Sequence, residues 1–158
     1  MSTAAPDPAL TLPDGWRTIP PEMVGAPGVV LVGAYETPDA GFTANVTVTV
    51  QVPDGPVDLP ALATEAVRRM EAGARDVVLH RQDLAVDDAG RPALSQEIAF
   101  TADLGDQEVA LVQTQDVVAT HDEVAGAGRW WTVTLTASAG QSADLRPAVT
   151  DLVRRLRG

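Results

Sequence analysis

From Phe42 to Val52 the chain alternates without a slip. Phe42, Ala44, Val46, Val48, Val50 and Val52 fall on one side, and Thr43, Asn45, Thr47, Thr49 and Gln51 on the other. A period of two belongs to a pleated strand, and a helix cannot present it. A chain that carries such a strand must build a sheet with one dry face. The threonine-rich side is expected to meet water or a partner, not a second core.

Around this strand the remaining elements follow from periodicity and turn chemistry. Residues 1–27 hold many of the prolines and few regularly spaced apolar residues, so they read as an extended arm, pinned to the core by Trp16 after the Asp14-Gly15 turn pair. A strand is expected over Gly28–Glu36, and a turn at Thr37–Gly41 makes a hairpin with the alternating strand. After Gly55-Pro56, Asp58 is a candidate N-cap for a helix with Pro60 in its first turn; Leu59, Leu62, Ala63, Ala66, Val67 and Met70 recur at spacings of three and four, and Gly73 closes it. Further strands are expected at Val77–Val86, Ala93–Asp103, Glu108–Ala119 and Arg129–Ser138, joined by short turns that favour antiparallel neighbours. A second helix over Ser142–Arg157 carries the stripe Leu145, Val149, Leu152, Val153 and Leu156, with Pro147 expected in its first turn.

Composition removes several function classes. Eleven arginines and no lysine stand against 22 acidic residues, for a net charge of −11, and such a field repels nucleic acid and anionic bilayers. The chain has no cysteine, hence no disulfide, thiolate zinc site, thiol nucleophile or lipid-attachment cysteine. Residues 1–8 carry neither positive charge nor an apolar run, and no stretch approaches the ~18 apolar residues of a membrane span. These features lead us to expect a cytoplasmic protein without membrane insertion.

Candidate chemistry is thin. His80 lies mid-strand, and His121-Asp122-Glu123 places potential ligands on neighbouring positions that diverge in direction. Ser2, Ser95, Ser138 and Ser142 are not in a strained strand-to-helix elbow, and Ser142 reads better as an N-cap. Gly126-Ala127-Gly128 precedes a strand, where a phosphate loop needs a helix N-terminus. Asp87-Asp88 and Asp103/Asp106 are explained by turn geometry, and the Asn45-Val46-Thr47 sequon lies mid-strand. Arg146, Arg154, Arg155 and Arg157 gather on the last helix, while the span 83–123 holds ten acidic residues and only Arg91. No catalytic, cofactor-binding or metal-ligating set is therefore assigned.

The polar strand face is the stronger lead. Thr132, Thr134, Thr136 and Ser138 repeat the pattern of Thr43, Asn45, Thr47 and Thr49, with Trp130 on the same side and Trp131, Val133, Leu135 and Ala137 facing inward. Thr47, Thr49, Trp130, Thr132 and Thr134 are accordingly the candidate partner-binding residues, hydroxyls and methyls of low entropy cost around one aromatic anchor.

A Trp-bearing arm, a hairpin whose second strand carries Phe42, Ala44, Asn45, Val46 and Val48, a helix at Leu59–Gly73, the turn Gly90-Arg91-Pro92-Ala93 before a long strand pair and a final helix ending Leu152–Arg157 together resemble the Mog/PsbP-like fold, and within it the LpqN-type and DcrB-type bacterial proteins. The resemblance spans residues 16–158. It implies an antiparallel sheet sandwiched by helices in proteins that serve as binding, adaptor or chaperone subunits. LpqN-type members are typically exported lipoproteins, from which this chain departs in its missing leader and anchor cysteine. DcrB-like members resembling cytosolic chaperones for secreted effectors fit that departure better.

The expectation is an α+β domain of α/β/α-sandwich type, with a mostly antiparallel sheet of about six strands and two main helices. Residues 1–27 form the arm and 28–158 the single domain. Functionally we expect a non-enzymatic, cytosolic adaptor or chaperone-like module that binds a protein partner, or itself, through the Thr/Trp face. The alternative is a small-molecule-binding domain or enzyme with an apolar pocket between sheet and helix.

Overall fold

A computed structural model describes residues 10–52, 57–86, 91–122 and 127–157, with only the backbone at 121, 122 and 127. Strands β1 (Trp16–Ile19), β2 (Val29–Tyr35) and β3 (Asn45–Gln51) precede helix α1 (Leu59–Gly73). Then come β4 (Arg75–Val86), β5 (Pro92–Leu104), β6 (Gln107–Asp122), β7 (Ala127–Ser138) and helix α2 (Ser142–Arg157). All seven strands lie in one sheet, in the order β1-β2-β3-β7-β6-β5-β4, and every pairing is antiparallel. The chain is α+β, with one strand more than expected.

The added strand is β1. Its four residues pair with β2 from Trp16↔Tyr35 to Ile19↔Val32, and the Trp16 and Tyr35 rings meet edge to face at 5.1 Å. Four residues with exposed Arg17 and Thr18 carry no alternation long enough to read. The pairing becomes favourable only because Leu10, Leu12 and Trp16 can rest on the core of the sheet.

The strand expected from Phe42 to Val52 is shorter, running from Asn45 to Gln51. Ala40 and Gly41 take φ of 53° and 76°, and Asp39 and Phe42 close a small bridge. That turn carries Phe42 away from Ala44, Val46 and Val48. Phe42 packs instead against the cluster of Phe100, Val109 and Leu111. Val52 leaves the strand and is exposed.

Each helix takes one face of the sheet. Leu145, Val149, Leu152 and Leu156 of α2 pack on Val46, Val48, Val133 and Leu135, the dry side of the alternation. Burying one such side chain contributes about 1.5–3 kcal/mol. Helix α1 packs on the other side, where Leu59 and Ala63 meet Leu94 and Val117. Val117 stands opposite Thr132, and Thr132 opposite Thr49, so α1 shares the threonine face.

Helix α1 begins and ends where expected. In α2 the Gln141 carbonyl accepts from the Leu145 N–H at 3.2 Å, so Ser142, expected as the N-cap, is instead the first residue inside the helix. The Asp58 carboxylate accepts from the Ala61 N–H at 3.0 Å, and the Ala74 N–H donates to the Met70 carbonyl at 2.9 Å. Pro147 lies deeper than the first turn of α2, in the second. It leaves the carbonyl of Ala143, an exposed residue, without an intrahelical donor.

Candidate functional site

The register of three strands assembles the threonine face. Thr47 stands opposite Thr134, Thr49 opposite Thr132, and Gln51 opposite Trp130 across β3 and β7. Across β7 and β6, Thr134 faces Gln115 and Thr136 faces Gln113. Helix α1 covers the β5 side of this face and leaves the β3/β7 side open. The result is a cleft of about 440 Å³ between α1 and the sheet.

One wall of the cleft is apolar, from Leu62, Ala66 and Met70 of α1. The floor is polar but uncharged, from Thr49, Thr132, Thr134, Gln113 and Gln115. Val57, Leu94, Val117 and Trp130 make the apolar end. Trp130 is half-buried against Leu59, Ala63, Leu94 and Val117, so it braces the helix to the sheet as well as lining the cleft. Four of the five candidate residues, Thr49, Trp130, Thr132 and Thr134, line the cavity. Thr47 shares their face but lies outside the lining.

The glutamines are the part that sequence reasoning missed. Gln82 Nε2 donates to Gln96 Oε1 at 3.1 Å, Gln96 Nε2 to Gln115 Oε1 at 2.6 Å, Gln115 Nε2 to Gln113 Oε1 at 2.6 Å, and Gln113 Nε2 to Thr136 Oγ1 at 3.0 Å. This ladder runs in one direction across four strands. Gln96 is fully buried beneath Ala63, whose lack of a longer side chain brings the helix close enough for Gln96 Nε2 to reach its carbonyl at 3.4 Å. A signal was present: Gln96 interrupts the apolar set Leu94, Ile98 and Phe100 on one strand face. Because the oxygens of Gln96, Gln113 and Gln115 accept within the ladder, the two amides that line the cleft, Gln113 and Gln115, are held in fixed orientations.

Arg69 is the one charged residue in the lining among the described residues, and an exposed Glu65 carboxylate lies 4.0 Å from its Nε. Among the described residues no carboxylate and no histidine lines the cavity.

The titratable groups that come together do so on the opposite face, beneath α2. Glu97 takes an ion pair from Arg146 of α2, and His80 Nδ1 lies 3.6 Å from its Oε2. The Ser95 hydroxyl accepts from both terminal nitrogens of Arg81 at 3.2 Å. Burial pushes the Asp116 carboxyl above its ordinary value, partly opposed by a Ser95 hydrogen bond and by Arg81 and Arg157. These contacts fasten a helix to a sheet.

The other candidates are spent on structure. Ser138 Oγ hydrogen-bonds Asp39 at 2.6 Å, which ties the β2–β3 turn to β7. Asp103 and Glu108 hold Arg75 at 2.7 and 2.8 Å. Arg154 and Arg155 pair with Asp151, and Arg155 also reaches the Thr11 hydroxyl and carbonyl at 2.8 Å. Residues 1–8, Gly55-Pro56 and Asp87-Asp88 lie outside the described residues, as do Glu123 and Gly126 and the side chains of His121 and Asp122. Among the described residues no three His, Asp or Glu side chains gather as metal ligands, and no helix is long and apolar enough to cross a membrane.

No family model matches the sequence, and no curated protein matches it. Solved structures do. LpqN of Mycobacterium tuberculosis, described as involved in cell envelope biogenesis, superimposes with a TM-score of 0.61 at 17% identity over 90% of this chain and 78% of its own. PA94 of Pseudomonas aeruginosa, described as a protein of unknown function and a suggested regulator, gives 0.54 at 11% identity over 77% of each chain. At these identities the likeness concerns the backbone alone: this chain has an LpqN-type fold.

Proposed function

We propose that the protein is a non-enzymatic binding module, and that its work is done in the cleft between α1 and the threonine/glutamine face. In this reading the sheet is sandwiched by α1 and α2, α2 sealing one side and α1 leaving the other partly open for a guest. The observation that carries it is the lining: a cavity of about 440 Å³, in the range of small-molecule sites, with one apolar wall, a floor of uncharged donors and acceptors and, among the described residues, no carboxylate or histidine to move a proton. The fitting guest is uncharged, with an apolar body against Leu62, Ala66, Met70 and Trp130 and acceptor oxygens toward Gln113, Gln115 and the threonines.

The test is a fluorescence titration with N-phenyl-1-naphthylamine, a neutral apolar probe, on the wild type and on Ala66→Trp, which fills the cavity from the α1 wall. Saturable binding that Ala66→Trp abolishes is the expected result. Equal binding by both proteins would remove the cleft from consideration.

A second reading keeps the same face but gives it to a protein. It is favoured by the opening of the cleft toward Thr47, where a partner chain could continue the contact beyond the cavity. A partner recovered in stoichiometric amount with wild type and lost with Trp130→Ala and Thr134→Ala together would support this adaptor or chaperone reading. The cytosolic setting expected from the sequence belongs to the proposal too, and fractionation of cells producing the protein tests it against an envelope location.

A further inference from the structure

β4 ends the sheet. Its 12 residues have β5 as their strand neighbour on one side and, among the described residues, leave the other backbone edge unpaired. Four of the nine exposed large apolar side chains among the described residues, Val78, Leu79, Leu84 and Val86, belong to this one strand. Leu84 and Val86 also border a second cavity of about 390 Å³ at the N-terminus of α1. A long edge with exposed apolar side chains is a template for another strand.

We propose that this edge pairs with the same edge of a second copy, antiparallel and with Gln82 on the two-fold axis, so that two sheets become one of fourteen strands. The argument is register. β4 already contains a shift against β5 between Leu79 and Arg81, which makes His80 an extra residue. With Gln82 opposite itself and His80 again extra, Arg81 comes opposite Asp83 of the second copy, Leu79 opposite its Leu84, and Val78 opposite its Ala85.

Each of these matches also respects the faces. Leu79 and Leu84 stand beside Ile98 and Leu94 on the α1 side, whereas Arg81, Asp83, Val78 and Ala85 stand beside Glu97, Ser95, Ala99 and Ala93 on the α2 side. A slip of one residue would set apolar against charged side chains. By symmetry every match occurs twice, as an isologous interface requires.

Arg81 and Asp83, already an ion pair within the strand, would then alternate with their copies around the axis. The amide ladder that starts at Gln82 would run on into the ladder of the second copy. This surface is separate from the cleft, and the inference does not depend on the binding reading.

The chain has no cysteine, which makes the test direct. Residues opposite each other on antiparallel strands have Cα atoms about 4.5–5.5 Å apart, within the span of a disulfide. Under mild oxidation Gln82→Cys should form a disulfide-linked dimer, and Arg17→Cys on the opposite sheet edge should stay single. Sedimentation velocity should show wild type at twice the 16.5 kDa chain mass. Leu84→Lys, at an exposed site, should leave the monomer folded by circular dichroism and weaken that dimer at least about tenfold. A wild type that stays monomeric at every concentration overturns the proposal. So does a dimer that Arg17→Cys links and Gln82→Cys does not.

Discussion

Gln96 stands directly opposite Gln115 across β5 and β6, and its Nε2 donates to the Gln115 Oε1 at 2.6 Å while the side chain is wholly out of solvent. A buried amide is tolerated only where its hydrogen bonds are made, and here both ends are used. Gln96→Leu keeps the volume under Ala63, and the freed ends of Gln82 and Gln115 lie near water. We predict a loss within about 1 kcal/mol for Leu and about 2–4 kcal/mol for Ala, which also leaves a cavity. Urea unfolding of both variants checks the order. The Leu variant should also bind the neutral probe more weakly, because the donors of Gln115 are no longer held in place.

Acid stability should report on Asp116. Burial raises its carboxyl above the ordinary 3.8, with the Ser95 hydroxyl, Arg81 and Arg157 opposing. The native state therefore holds this proton at pH values where the unfolded chain has released it, and stability from this group is lost as pH rises through the folded value. Asp116→Asn, which can still accept from Ser95, should raise Tm at neutral pH. That advantage should shrink on acidification and vanish below the unfolded value. Thermal melts across pH that showed a gain constant at every pH, or none, would contradict this account.

Helix α1 is both a wall of the cleft and an element held by its first turn. Removing the carboxylate that caps Ala61, with Asp58→Ala, should cost about 0.5–2 kcal/mol. Hydrogen exchange should show faster opening of the first turn of α1 than of α2. Uniform acceleration in both helices would mean that the cap does not act locally.

The N-terminal segment is seated over a glycine. A Cβ at Gly33 would overlap Leu12 Cδ1 and come within 3.1 Å of Val46 Cγ1. Gly33→Ala should therefore displace Leu12 and destabilise the protein by about 1–3 kcal/mol. Limited proteolysis should cut first ahead of Trp16. An unchanged digestion pattern would show that Leu12 does not hold this segment.

Local pattern alone determined most of the elements. Periods of two and of three to four mark β3, α1 and α2, and turn residues mark the meander, because those signals come from which side of its own backbone each side chain occupies. Two features of the fold needed the tertiary structure. β1 pairs only because Trp16 finds Tyr35 and the core beneath it. Phe42 changes sides because the backbone at Ala40 and Gly41 turns left-handed.

The cleft was half legible. Its threonines and Trp130 follow from alternation in two strands, but their neighbours Gln113 and Gln115 on β6 and the α1 wall are set by strand order and by the helix that crosses that face. Which strands lie side by side depends on contacts far apart in the chain. Within a regular strand or helix a one-dimensional pattern therefore settles which way each side chain points, and it leaves to packing where that element stops and what its side chains will meet.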